Sequence, residues 1–409
     1  MSCRICNKKL KKLIDYKKVA LSGNFLKKKE IKNEKKYQLT LMICKSCKHL
    51  QIKEKINSKL LFNKDYVWKT GTSSTNIKLI KNLLSKLVSK FGIYKKSKFI
   101  EIASNDGTLL KEVKKNFKSY VLGVDPAKNL KNTFKKNSFD TIVDFFSYSK
   151  SIKINKKYGK FDFCIARNVL AHTKNPNDIF KGVKNILNKN GVFVIEVPHL
   201  YNIFKDNQYD NVFHEHIGFH SLKSIDDLCK RNRLKIFDVE IVDSQGGSIQ
   251  CFIAHKERKI PIKTKILNII TKEKKIGLFN LVSWKHFANR VHIHSFKLNN
   301  LLKKLKNKDK RIDIYGASGK GQSLMQFCKI DKEIIDNVYD KNKSKQNKFT
   351  PGTHIKIIDP KKINIMKPNY LLLLSWNIKK EIMRQEKQFL NNKGIMIIPF
   401  PEPRLIRKY

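Results

Sequence analysis

Between residues 97 and 255, short apolar runs alternate with amphipathic stretches. "KFIEIAS", "YVLGVD", "FDFCIARNVL", "GVFVIEVP" and "IQCFIAH" are short and nearly continuous in their apolar residues, and they read as strands. "DIFKGVKNILNKN" repeats its apolar positions at three and four residues, which predicts a helix ending near Gly191. Strand and helix in alternation predict a parallel, doubly wound α/β sheet. The same rhythm restarts at residue 311 with "RIDIYGASGKGQSL", "IDNVYD", "YLLLLSW" and "GIMIIPFP", a second α/β unit whose turn residues differ from the first. Residues 263–306 between them are long, Lys-rich and helix-permissive, and read as a bridge. Upstream, "DYVWKTGTSSTN" precedes the helical pattern "IKLIKNLLSKLVSKF", and residues 1–60 hold short apolar runs such as "YQLTLMIC" between paired cysteines.

Length and composition change this picture little. A chain of 409 residues implies two or three units at ~100–200 residues per domain. With 41% hydrophobic residues it buries real cores, which excludes a disordered tail. Charge adds a question: Lys+Arg 87 against Asp+Glu 34 gives a formal net +53. Clustered cations bind nucleic acid by releasing counterions from phosphate. Here lysine is spread over every segment and arginine is scarce, so no face gathers Arg forks with interleaved aromatics. The expectation is therefore no specific nucleic-acid partner, with the charge serving solubility and attraction of anionic ligands such as a diphosphate. No run reaches ~18 apolar residues, so no membrane partner is expected. "MSCRICNKKLKK" lacks the apolar core of a signal peptide, which leaves the cytoplasm as the expected compartment. Eight cysteines in a reducing compartment suggest metal or burial before disulfides.

Four places carry chemistry. Cys3-x-x-Cys6 and Cys44-x-x-Cys47 are paired knuckles, and two such turns supply four thiolates to a closed structural zinc site. "FIEIASNDGTLLK" ends a strand at Glu101, turns through Ser104, Asn105 and Asp106, and starts a helix near Thr108; Gly107 lets the backbone approach a ligand. About twenty residues on, Asp125 and Pro126 end the next strand, where an acid takes both hydroxyls of a ribose. The turn lacks G-x-G-x-x-G, which points away from a dinucleotide. S-adenosylmethionine has no phosphates, and an acidic loop of small residues suits its ammonium group. Asp144 and Phe145 of "VDFF" are candidates for its adenine; Arg167 and Asn168 end a further strand, and His172 follows.

"DNVFHEHIGFHSL" puts His214, His216 and His220 around Glu215 within a few residues. A metal site would want histidines at i and i+2 on a strand and a third strong ligand, which is not evident. Acid–base chemistry wants a group that titrates near neutrality, with a carboxylate to orient it. "IYGASGKGQSL" offers Gly316, Ser318, Gly319, Lys320 and Gly321 after a strand, a turn that resembles a phosphate cradle without Walker spacing; Asp340 and Lys345 follow in "YDKNKSKQNKFTPGTHI".

The order of "CRIC", "CKSC", "YVWKTGTSS", "EIASNDGTLL", "GVDPAKN", "NVLAHTKNPNDIFKGVKNIL", "YDNVFHEHIGFHSL", "QGGSIQCF" and "YGASGKGQSLMQFC" resembles the bacterial S-adenosylmethionine-dependent nucleotide-sugar C-methyltransferase family over nearly the whole chain. The resemblance implies an N-terminal zinc-binding domain (1–62), a central class I methyltransferase domain (63–258), a helical linker (259–306) and a C-terminal Rossmann-like domain holding the sugar nucleotide (307–409). It implies methylation of a ring carbon of a 4-keto-deoxysugar, TDP-linked as the first expectation; separately, a monomer is expected. By the same resemblance His216 is the general base, with Glu215 and His214 beside it, while His172 and Tyr66 complete the active site. One departure stands out: many members have tyrosine before "HEH", and this chain has Phe213. The competing readings are a zinc-knuckle nucleic-acid methyltransferase, favoured by the charge, and a nucleotide-binding assembly protein with a dead site, favoured by Phe213.

Overall fold

The computed structural model describes residues 2–61, 69–128 and 139–407. Tyr66 lies outside the described residues. Strands β1 (Leu10–Ala20), β2 (Lys36–Cys44) and β3 (Leu50–Ile52) form an antiparallel N-terminal sheet. In the central unit follow β4 (Lys98–Ile102), β5 (Tyr120–Val124), β6 (Asp140–Ile142), β7 (Phe161–Arg167) and β8 (Leu187–Pro198). The short strand β9 (Gly218–Phe219) leaves this unit and pairs with β3 as the fourth strand of the N-terminal sheet. Strands β10 (Leu234–Val242) and β11 (Ser248–His255) complete a seven-stranded sheet in the order β10-β11-β8-β7-β4-β5-β6.

β4 to β8 run parallel, and β11 runs against both its neighbours. The apolar runs are near-continuous because this sheet is buried on both faces, as Ile100, Cys164 and Phe193 at 0% exposure show. From β4 the chain moves one way to β5 and β6, then back the other way to β7 and β8. The crevice at such a reversal is where ligands bind in open α/β sheets. Here it opens between the ends of β4 and β7.

The helix expected to reach Gly191 spans Pro176–Ile186 and β8 begins at once with Leu187. Asn188–Asn190 continue as a strand although their polar side chains fit a helix exit equally well. The register of Phe161 against Leu187 decides the matter.

The C-terminal unit contains β12 (Ile312–Tyr315), β13 (Val338–Tyr339), β14 (Ile357–Ile358), β15 (Tyr370–Leu373), β16 (Ile395–Ile398) and β17 (Arg404–Ile406), ordered β14-β13-β12-β15-β16-β17. All pairs are parallel except β16 with β17, and the reversal falls between β12 and β15. The Lys-rich stretch forms helices Lys265–Lys275 and Leu281–Lys306. The second is no solvated bridge: Trp284, Phe287, Val291, Leu298 and Leu302 are buried in a core shared with the C-terminal sheet, the N-terminal sheet and residues 200–219. That shared core clamps the histidine segment between the other units.

Candidate active site

At the end of β4 the loop 103–107 turns sharply. Ala103, Asn105 and Gly107 take φ of 55°, 52° and 73°. A left-handed conformation at a non-glycine residue costs about 1–2 kcal/mol, so the backbone keeps a glycine-type turn that the residue letters conceal. The turn aims acids inward. Asn105 N–H donates to Asp125 Oδ2 and Ala127 N–H to Asp125 Oδ1, both at 2.8 Å. Each carboxylate oxygen keeps a lone pair for a further donor. Burial pushes the Glu101 carboxyl up to about 8; Arg167 opposes this, and Asp106 and Asp125 add to it. Among the described residues, Glu101 Oε2, Ser104 Oγ and Asn168 Oδ1 are buried with no hydrogen-bond partner. Arg167 itself pairs with buried Glu196, Nε to Oε2 at 3.3 Å. Asp144 forms an ion pair with Lys150 at 2.5 Å, and Phe145 is 46% exposed.

A strap covers this loop. Thr70 N–H donates to Asn105 Oδ1 (2.8 Å) and Gly71 N–H to Asp106 Oδ2 (2.9 Å). Just downstream, the hydroxyls of Ser73 and Thr75 donate to Glu381 of the C-terminal unit at 3.2 and 2.6 Å.

The three histidines of residues 210–222 do not act as one cluster. The His214 Nε2 atom lies 3.1 Å from the Gln38 carbonyl of β2, and its ring meets Tyr37 edge-on. His220 packs on His49 of the N-terminal unit, ring centres 4.8 Å apart. His216 alone turns to His172, with ring centres 4.8 Å apart at 73°. Residues 209–211 form a 3-10 turn and the chain after them bends. The alternation of a strand therefore does not apply, and neighbours diverge. Glu215 was expected to orient His216. It turns instead toward the 22–24 loop, where a Cβ on Gly23 would come within 2.6 Å of its Oε1. Burial pushes its carboxyl up to about 7.

The group that holds His216 is the Asn211 carbonyl, 3.1 Å from Nδ1. With Nδ1–H donating there, Nε2 carries the lone pair. Burial holds this imidazole well below its usual range, and His172 and Lys320 add to the effect; His172 is pushed down to about 4, also by burial. Phe213 also packs against the His216 ring, with centres 4.2 Å apart and planes tilted by 38°.

The reversal point of the C-terminal sheet faces the same segment. Ser323 Oγ donates to Val212 O (2.6 Å), Trp376 Nε1 to Asp210 Oδ2 (2.7 Å) and Lys320 Nζ to Gln245 O (2.8 Å). The glycine-rich turn is packed and does not stand open. A Cβ on Gly321 would meet Leu374 at 2.5 Å, and Ser318 Oγ accepts from Gly321 N–H. The Ala317 N–H donates to Asp340, whose carboxylate pairs with Lys345. Gly246, at φ 89°, passes so close to Trp376 that a Cβ would lie 2.5 Å from the indole. Beside Trp376 and Gly246 a cleft of about 990 Å³ opens between the helix Ser74–Phe91 and the C-terminal unit, flanked by Lys78, Lys86, Lys379, Arg384 and Arg404.

Comparison with known proteins fits this geometry. Residues 3–62 match a zinc binding domain, 77–238 a methyltransferase domain and 243–401 the C-methyltransferase C-terminal domain. The C-methyltransferase NovU of Streptomyces niveus is 29% identical over 406 residues, 99% of this chain and 96% of NovU. The three domain matches in this order make the chain an S-adenosylmethionine-dependent methyltransferase. Two solved structures overlap part of this methyltransferase. The PH0226 protein of Pyrococcus horikoshii OT3 is 15% identical, covers 49% of this chain and 100% of its own, and has a TM-score of 0.38. A methyltransferase of Clostridium acetobutylicum is 14% identical, with 43% and 90% covered and a TM-score of 0.34.

The crevice of the methyltransferase suits its cofactor. A buried group of acids in a chain of net +53 is complementary to an ammonium, and the orphaned Glu101, Ser104 and Asn168 atoms provide partners. The zinc knuckles fit equally well. The Sγ atoms of Cys3 and Cys47, Cys6 and Cys44, and Cys6 and Cys47 lie 3.5–3.6 Å apart, and all four are within 4.8 Å of one another. Tetrahedral zinc with ligands at ~2.3 Å needs sulfurs about 3.8 Å apart. Arg4, between the first two cysteines, donates to Ile52 O (2.7 Å) and Ile217 O (3.1 Å), which ties the zinc site to the histidine segment. Sequence reasoning passed over Asp210, Asn211, Trp376 and the strap at Thr70–Gly71. Asp210 and Trp376 carried a faint signal, as an acid beside the histidines and one of three tryptophans.

Proposed function

We propose that this C-methyltransferase methylates the carbon next to the keto group of a nucleotide-linked 4-keto-deoxysugar, with His216 as base. The observation that carries the reading is His216 itself: a neutral imidazole, fixed through Nδ1, with a free Nε2 and with its ring against His172, which lies in the turn that follows β7. Nε2 takes the proton from the carbon, and the C–H electron pair moves into the enolate. S-adenosylmethionine supplies an electrophilic methyl group to that carbon. His172, kept neutral by burial, donates or relays a proton to the ketone oxygen. Glu101, Asp106 and Asp125 hold the cofactor, with Ser104, Asn105, Gly107 and Pro126 around them. The cationic cleft beside Trp376 takes the nucleoside diphosphate, in place of the packed turn at 316–321.

The test is a panel of TDP-, CDP- and GDP-linked 4-keto sugars, followed by mass spectrometry and NMR. A product heavier by one methyl and carrying it on carbon supports the reading. Methylation of RNA or DNA with no sugar product overturns it in favour of the nucleic-acid alternative.

A further inference from the structure

Lys320 stands out among the charged groups of the chain. It is 7% exposed, on the first turn of the helix Gly319–Phe327. Its ammonium makes one hydrogen bond among the described residues, to the Gln245 carbonyl, and no carboxylate lies within 4.0 Å of it. An ammonium carries three donors, so two remain. Asp210 is the acid that acts on it through space, and its Oδ2 is already engaged by Trp376. A buried cation left without a counterion costs several kcal/mol, and a fold that keeps one has a reason to want positive charge there.

The place supplies the reason. Gly319 backs onto Phe213, where a Cβ would lie 3.5 Å from the ring, and Phe213 packs at a tilt against His216. Lys320 also lies within electrostatic reach of His216. A ketone's α-proton is far less acidic than an imidazolium. His216 can remove it only if the charge arriving on the oxygen is met by a preorganised donor. His172 is neutral and Phe213 has no hydroxyl, so neither ring packed on His216 brings a positive charge, and Lys320 is the cation that acts on it through space among the described residues.

We propose that the Lys320 ammonium is the oxyanion partner of the reaction, receiving the negative charge on the C4 oxygen as His216 Nε2 takes the α-proton. In this step the C–H bond breaks, its electron pair forms the C=C bond, and the carbonyl π pair goes to the oxygen facing Lys320. The proton stays on His216, so charge is conserved across the pair. Phe213 lies against both the base and Gly319 of the helix turn that carries the cation, and leaves donation to Lys320. Asp210 and His216 of the histidine segment act on Lys320 through space, and the Gln245 carbonyl of the β10–β11 turn accepts from it. Burial brings the ammonium down to about 8, while Asp210 opposes the shift.

This role rests on the keto-sugar reading. It is tested by solvent-deuterium exchange at the α-carbon of a TDP-linked 4-keto sugar without cofactor, and by steady-state kinetics with it. Lys320→Met is expected to slow exchange and kcat about 10²–10³-fold with KM nearly unchanged. Lys320→Arg should recover part of both. In the wild type, exchange should decline above about pH 8. A Lys320→Met enzyme that exchanges normally overturns the role. So does one in which only KM rises, because Lys320 would then be holding a phosphate. If Lys320→Met does not fold, the wild-type profile decides alone, and exchange that is flat to pH 9.5 overturns the proposal. A wild type that exchanges no keto sugar overturns the substrate reading, and this role with it.

Discussion

The pH dependence of cofactor-site binding follows from Glu101. In the ligand-free protein burial holds this carboxyl protonated up to about pH 8, whereas an ammonium ligand pairs with the ionised form. Binding must therefore expel a proton, and affinity must rise with pH. With a value of about 8, the ionised fraction is about 0.003 at pH 5.5 and about 0.09 at pH 7.0. S-adenosylhomocysteine, whose α-amino group stays charged below ~7.7, should thus bind about 30-fold tighter at pH 7.0 than at pH 5.5. Calorimetry at pH 7.0 in buffers of different ionisation enthalpy should report about 0.9 proton released per ligand. Glu101→Gln should flatten both signals and bind more weakly at pH 7.0. Stability of the free protein follows the same sign. The folded protein holds a proton that the unfolded chain releases near ~4.3, so Glu101 erodes stability as pH rises from there toward 8. Equal affinities at pH 5.5 and 7.0, with no buffer-dependent heat, would refute the assignment of Glu101 to the cofactor's ammonium.

Three further outcomes can be checked. Zinc removal by chelation, or Cys6→Ser, should lower the melting temperature and also reduce turnover, because the zinc site reaches Ile217 through Arg4, while S-adenosylhomocysteine binding survives. Gly246→Ala forces a Cβ into Trp376 and should displace the indole from Asp210, raising KM for the sugar nucleotide with little change in cofactor affinity. Glu381→Ala releases Ser73 and Thr75 and should loosen the strap over the 103–107 loop, weakening S-adenosylhomocysteine binding roughly three- to tenfold in a direct titration.

Much of this was legible in the residues. The four cysteines announced their site because CxxC spacing fixes two thiolates on one side of a turn. The strand runs were legible because a parallel sheet buried on both faces leaves uninterrupted apolar stretches, as in "FDFCIAR". The left-handed turn at 103–107 was half-hidden, since alanine and asparagine stand where glycine is the cheaper choice. The histidine segment was misleading in its geometry. Spacing placed Glu215 and His214 beside His216, but direction depends on a bent backbone whose shape is set by β3, β9 and the C-terminal sheet. Lys320 read as a phosphate ligand because a glycine-rich turn after a strand has that habit. Its inward course depends on contacts with residues more than seventy positions away, such as Gln245. Long-range packing of that kind leaves no local pattern.

The account stands or falls on the base. In D2O, without cofactor, the wild-type enzyme should exchange the proton next to the ketone of an accepted 4-keto sugar nucleotide, and His216→Ala should not, while still binding S-adenosylhomocysteine normally. Exchange at the wild-type rate in His216→Ala would contradict it.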